Sequence, residues 1–194
     1  MKYSGKYVAI SREELCQRVQ AQMSAKRFKH VLGVEQTAIV LAEKYGVSIE
    51  QASIAALTHD YAKERSALDF EELIQQQFDA DLLNWGNEIW HGLVGAEFVK
   101  RELGINDEEI LEAIRLHTTG AAEMSLLAQV LYVADYIEPG RDFPKVVEAR
   151  EIAMRNLEEA VAFETKHTLA FLVQKQVPIY PKTIETYNKW VAKK

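Results

Sequence analysis

Cys16 is the only cysteine among the 194 residues, so no disulfide can form within the chain. A lone thiol suits a reducing compartment. A cationic surplus is also missing: Lys and Arg number 23 against 29 Asp and Glu, for a formal net charge of −6. That balance argues against a nucleic-acid polymer as partner, since proteins that bind one carry a broad basic footprint. Any anionic substrate would have to be met by a local group of cations. No apolar run approaches the roughly 20 residues needed to span a bilayer. The opening MKYSGKYVAISREEL has no apolar core of the kind found in signal peptides. The expectation is a cytoplasmic protein with no membrane partner. Sustained two-residue alternation bounded by hairpin turns is absent too, which argues against a sheet.

The chain does carry an ordinary globular composition, with 48% apolar and 27% charged residues. Its length allows one well-buried core. Helix starts recur. Ser11-Arg12-Glu13-Glu14 reads as a capping box, and Ser48-Ile49-Glu50-Gln51, Asp69-Phe70-Glu71-Glu72 and Asn106-Asp107-Glu108-Glu109 repeat the logic. Stops are marked by Gly46, Gly104, Gly120 and Pro139-Gly140. Between these marks the apolar spacing is helical. Val31, Val34, Ala38, Leu41 and Tyr45 form one stripe; Leu126, Val130, Val133 and Ile137 form another. Small residues at Ala52, Ala55, Ala56 and Ala62 permit close helix approach. The stretches from Ala80 to Gly86 and from Pro139 to Pro144 read as loops, and Val177 to Pro181 as extended. The fold class expected is all-α, a single bundle of about eight to nine helices. Residues 1–25 would supply an N-terminal helix packed on a domain spanning 26–194.

Four of the five histidines lie in suggestive settings. His30 is on the helix with the first stripe, and His59 is followed at once by Asp60 near the end of the alanine-rich helix. His91 opens a long helix, and His117 ends one just before Thr118-Thr119-Gly120. Asp135 sits inside the apolar run LLAQVLYVADYIEP, where a carboxylate is costly to bury unless it is paired or metal-bound. Imidazole nitrogen with carboxylate oxygen is the donor set that a catalytic divalent transition metal prefers. Adjacent helical residues leave the axis about 100° apart, so His59 and Asp60 can face one cavity only where the helix ends or lines a pocket. Any one of these residues alone could be a hydrogen-bonded or surface group. His167, between Lys166 and Thr168, is given no function.

The order His30, His59-Asp60, Asp135 resembles the ligand order of the HD-domain phosphohydrolases, and His91 and His117 resemble the two extra histidines of their binuclear subset. Longer words are similar to those of the bacterial YqeK family of symmetrical diadenosine tetraphosphate hydrolases. They are KRFKH (26–30), ALTHDYAKE (56–64), HGLVGAEFV (91–99), LHTTG (116–120) and YVADYIEPGR (132–141). The likeness starts at about Lys26; PIYPKT near the C-terminus matches more loosely.

This resemblance implies an HD domain holding two divalent ions, most often iron, with manganese, cobalt or zinc as alternatives. One ion would be held by His30, His59, Asp60 and Asp135, the other by His91 and His117, with Asp60 bridging. It also implies a nucleotide pocket formed by Arg27, Lys63, Thr118, Asp135, Arg141 and the segment Ile179, Tyr180 and Pro181. Asp60 and Lys63 would be the catalytic residues. The substrate implied is a dinucleoside polyphosphate cut symmetrically, leaving ADP or, from a guanosine substrate, GDP. A homodimer is compatible with it. Rival readings are another HD-type nucleotide phosphohydrolase or phosphodiesterase, a diiron oxygenase, or a nucleotide sensor without turnover. The cations Arg27, Lys63 and Arg141 suit phosphates better than a neutral substrate.

Overall fold

A computed structural model describes residues 1–192. Residues 1–11 are irregular and lead into α1 (Arg12–Gln20), after which α2 (Ala25–Tyr45) and α3 (Ile49–Thr58) form the first long hairpin. Then come α4 (Ala67–Gln77), a 3-10 turn (Ala80–Asn84), α5 (Asn87–Leu93), α6 (Gly95–Leu103) and α7 (Glu108–Leu116). The chain finishes with α8 (Leu126–Ile137), α9 (Val146–Ala153), α10 (Leu157–Lys175) and α11 (Pro181–Trp190). No strand occurs among the described residues.

Serines start five of the eleven α-helices among the described residues. Ser11, Ser24, Ser48, Ser66 and Ser125 each accept a backbone N–H from the first turn, as do Asp107 and Asn156. Each such cap is worth about 1 kcal/mol. Two starts differ from the sequence expectation. Ser66, not Asp69, caps α4, and Asp107, not Asn106, caps α7. In both places two capping residues lie within reach, and the one that closes the bond to the third amide prevails. Gly46 and Gly104 end α2 and α6 with φ of 73° and 69°, a region open to glycine.

The eleven α-helices among the described residues exceed the expected eight or nine because short segments are separate bodies. The helix expected to begin near His91 is interrupted at Val94, so α5 and α6 are distinct. The expected loop from Ala80 to Gly86 contains the 3-10 turn, begun by Asp79 accepting from the Asp81 amide. Of the N-terminal stretch, residues 12–20 form α1, and its last residue, Ala25, already opens α2.

The core lies where α2, α3, α7 and α8 meet. Ala52, Ala55, Ala56 and Ala62 are buried, and so are Val31, Val34, Ala38 and Leu41. Of the α8 stripe, Val130, Val133 and Ile137 are inside, whereas Leu126 is 51% exposed. Leu126 is the first helical residue, and the following Leu127 takes the buried place. The N-terminal segment adds Leu15 and Val19 to the core. It is also tied down by Arg12, whose Nε donates to buried Glu35, and by a bond between the Tyr3 hydroxyl and Ser53.

Glu164 on α10 is buried and its Oε2 has no hydrogen-bond partner. Burial, then the nearby Asp135 charge, push its carboxyl well above the ordinary value of 4.5. A raised folded-state value means that the native state keeps this proton longer than the unfolded chain. Its contribution is complete below about 4.5 and declines as pH rises toward the folded value. In chelator-treated protein, Glu164→Gln should therefore raise Tm over the parent, by a margin that widens between about pH 5 and about pH 8. Thermal melts across that range check this; a margin that stays constant or narrows would contradict it.

Candidate metal centre

Helix ends bring the candidate ligands together. His59 is the C-cap of α3 and His117 the C-cap of α7. There each ring Nδ1 meets a carbonyl of its own last turn, Ala56 O at 2.7 Å and Ile114 O at 2.7 Å. Such carbonyls lack helical partners, so the imidazole satisfies the helix end and is itself oriented. His91, inside α5, is oriented differently: its Nδ1 meets the carbonyl of Asn87, the first residue of that helix, at 2.6 Å. His30, on α2, uses its Nδ1 toward Glu138 Oε1 at 3.1 Å. With every Nδ1 donating outward, all four Nε2 atoms present lone pairs to a common interior. Because α3 ends at His59, the adjacent Asp60 can turn into that interior as well.

Asp60 stands at the centre, its side chain 4% exposed. Its Oδ2 lies 3.4 Å from His59 Nε2 and 3.7 Å from His30 Nε2. Its Oδ1 lies 3.6 Å from His91 Nε2 and 3.9 Å from His117 Nε2. One carboxylate thus addresses two histidine pairs through separate oxygens. Asp135 completes the first group, with Oδ1 3.1 Å from His30 Nε2. Gly92 eases the approach of the second pair: a Cβ there would lie 3.3 Å from Ile114 O and 3.4 Å from His117 Cε1, a tight fit. The absent side chain lets α5 close on the end of α7.

The donor set fits metal ions. His30 Nε2 and His59 Nε2 are buried without a hydrogen-bond partner. His91 Nε2 and His117 Nε2 face each other at 3.1 Å. Since both rings donate through Nδ1, two lone pairs oppose there, and a cation between them would relieve the repulsion. The Thr118 hydroxyl is 3.2 Å from both, but one proton can serve only one of them. Three sets meet the spacing of a metal site: His30, His59 and Asp60; His59, His117 and Asp135; Asp60, His91 and His117.

The electrostatics agree. Burial first, then the neighbouring imidazole of His117 and the Lys63 charge, lower His91 to about 3. Burial and His59 lower His117 to about 4. Both stay neutral, as ligands must. Burial opposes ionisation of Asp60, but His59, His91 and His117 outweigh it and hold its carboxyl well below the ordinary range. Asp135 is likewise held low, burial being outweighed by His30, His59 and Arg141. Burial also opposes a charge on His59, yet Asp60 and Asp135 prevail and raise it. A buried anionic pair therefore draws positive charge from every side.

The remaining predicted residues separate. Arg27 donates to Asp60 Oδ2 at 2.9 Å, and Arg141 donates to Asp135 Oδ1 at 2.5 Å. Both line a cavity of about 760 Å³ together with Lys26, Lys29, His30 and Glu138. Lys63 is in the turns after α3, not on a continuing helix, and its Nζ lies 3.3 Å from His91 Nδ1 and 2.9 Å from Glu88. Tyr180 and Pro181 line a different cavity, of about 490 Å³, where Tyr180 meets Trp85 edge to face with centroids 4.9 Å apart. Ile179 is partly buried beside them and lines neither cavity. His167 stays apart, bonded to Phe163 O and near Lys145. Sequence reasoning missed Glu138, Gly33, Lys26, Lys29 and Trp85. Glu138 lay within a quoted word, but nothing in its spacing paired it with His30, 108 positions earlier.

The HD domain family model matches residues 27–140. A protein of Bacillus subtilis (strain 168) named bis(5'-nucleosyl)-tetraphosphatase, symmetrical, is 46% identical over 92% of this chain and 97% of its own. A protein of the same name from Halalkalibacterium halodurans is 42% identical, covering 93% and 97%. Among solved structures, a predicted HD superfamily hydrolase involved in NAD metabolism from Clostridium acetobutylicum superposes with a TM-score of 0.88 at 36% identity, covering 93% of this chain and 97% of that one.

The split of Asp60 oxygens makes a specific prediction about metal content. Asp60→Ala should take the purified protein from about two bound ions per chain to fewer than about 0.5, whereas His117→Ala should leave about one. Elemental analysis of folded variants checks this. Equal losses from the two substitutions would contradict a shared carboxylate.

Proposed function

The chain belongs to the HD-domain family, and on that premise we propose that it is a metal-dependent hydrolase that cleaves diadenosine tetraphosphate symmetrically into two ADP. The observation that carries this reading is the placement of Asp60, with one oxygen toward His30 and His59 and the other toward His91 and His117. The names of the two tetraphosphatase relatives, each matched over more than nine-tenths of both chains, support the substrate.

In this reading His30, His59, Asp60 and Asp135 hold one divalent ion, and His91, His117 and Asp60 hold the other. Iron is the ion we propose; manganese, cobalt and zinc share its taste for imidazole and carboxylate. When bound, such a pair supplies an acidified water and neutralises charge on a phosphoryl oxygen. The catalytic unit spans 26–194, with 1–25 as a segment packed against it.

The chain's own side chains are assigned the rest. Charge in phosphoryl transfer builds on the phosphoryl and leaving-group oxygens, so fixed cations beside them lower the barrier. Lys63 is such a cation, its side chain only 15% exposed and set against His91. It is assigned to the leaving diphosphate. Arg27 and Arg141 are within hydrogen-bond reach of the site carboxylates and also face the larger cavity. They are assigned to the phosphate chain, with Thr118 as a hydroxyl contact. That cavity is cationic in a chain of net charge −6. The smaller cavity offers aromatic faces at Trp85 and Tyr180, suited to stacking a base. The larger cavity is thus assigned to the phosphate chain and the smaller to one nucleoside end.

Metal-loaded protein should convert diadenosine tetraphosphate to ADP as the sole nucleotide product, read by chromatography. Lys63→Ala should lower kcat by roughly 10²–10³-fold, the range for loss of one charge-stabilising donor. Equal release of AMP and ATP would overturn the symmetrical cut, and absence of turnover with every transition metal would overturn the hydrolase.

A further inference from the structure

His59, His91 and His117 are oriented by carbonyls of their own helices, three or four residues earlier. His30 is not. Its Nδ1 depends on the side chain of Glu138, 108 residues later and beyond the end of α8. Glu138 is only 4% exposed, and both of its carboxylate oxygens have partners. Oε1 faces His30, and Oε2 accepts the Gly140 backbone N–H at 2.5 Å. The backbone around it is clamped as well. Arg150 donates to the carbonyls of Ile137, Glu138 and Arg141, and the Arg141 amide donates to Glu138 O.

Gly33 shows that α2 is shaped for this contact. It lies one turn after His30, and a Cβ built there would come 2.5 Å from Glu138 Oε2 and 3.3 Å from its Cδ. Its φ is not in the left-handed region, so the backbone does not call for glycine here. A glycine in a helix interior is destabilising. What it provides is the space through which the carboxylate reaches His30.

From this geometry we infer that Glu138 is a positioning residue. It holds His30 in the tautomer and orientation that present Nε2 beside Asp135 and Asp60, and it ties that histidine to the Pro139–Arg141 loop. Arg141 on the same loop donates to Asp135 through its guanidinium and places Nε 3.8 Å from Glu138 Oε1. One carboxylate therefore links the first metal group to an arginine that faces the larger cavity. The inference rests on the assignment of His30 as a metal ligand.

The test is a double-mutant cycle on the full chain, reading metal affinity by chelator competition alongside kcat and KM. Glu138→Ala should weaken one of the two ions by roughly 10–100-fold, the usual cost of losing a partner behind a ligand. It should raise KM as well, through the freed loop. Gly33→Ala should displace the carboxylate and give a loss of similar size. The double variant should lose no more than Glu138→Ala alone, since the added methyl then has nothing to displace. Glu138→Gln keeps one acceptor oxygen in place of two and should fall between the parent and Glu138→Ala. Additive losses in the cycle would overturn the inference. So would unchanged affinity for both ions in folded Glu138→Ala, provided that His30→Ala loses one. If His30→Ala keeps both ions, the assignment of His30 fails and the inference goes with it. Glu138→Gln and Gly33→Ala keep the test decisive should Glu138→Ala not fold.

Discussion

A carboxylate with almost no access to water is the constraint around which this molecule is arranged. Asp60 could not stay ionised in an apolar bundle unaided, because burying a lone charge costs far more than a domain's net stability. Four imidazoles and Arg27 surround it, and Asp135 with Arg141 repeats the arrangement beside it. The surroundings satisfy the charge partially: His30 Nε2 and His59 Nε2 remain without hydrogen-bond partners, and His91 Nε2 and His117 Nε2 face each other. A purely structural ion-pair network would close such gaps. A site that takes up cations has reason to leave them.

The helical scaffold makes this possible with little machinery. Helix C-termini leave carbonyls without partners, and imidazoles at those positions both satisfy them and become aimed. His59 and His117 are C-caps of α3 and α7, so the same contact ends the helix and selects the tautomer. Small residues then bring the ends together. Ala52, Ala55 and Ala56 let α3 sit deep in the core, and Gly92 lets α5 reach the end of α7. Packing density and ligand geometry are two readings of one set of contacts.

The loop after α8 plays a different part. It carries Glu138 and Arg141 within four residues, one reaching back to α2 and the other to Asp135. Arg150 on α9 holds the loop's carbonyls, so the arginine that faces the cavity is mounted on a braced turn. That bracing suits a cation meant to meet phosphate in a fixed place, since a preorganised donor costs no reorganisation when charge develops.

Much of this was legible in the chain itself. The helical period, the capping serines and the terminating glycines declared an all-α fold, because those signals act within a few residues of one another. The six candidate ligands were legible as residue types, and their resemblance to a known order grouped them. The sequence could not say that Ser66 would cap α4 ahead of Asp69, or that α5 would break from α6, because competing local options are decided by packing. It also could not show that Asp60 turns one oxygen to each histidine pair, that Tyr180 and Arg27 belong to separate cavities, or that Glu138 stands behind His30. Those facts join positions tens to over a hundred residues apart. Only the folded bundle sets such distances, because they arise from helices packing on one another and leave no periodic trace along the chain.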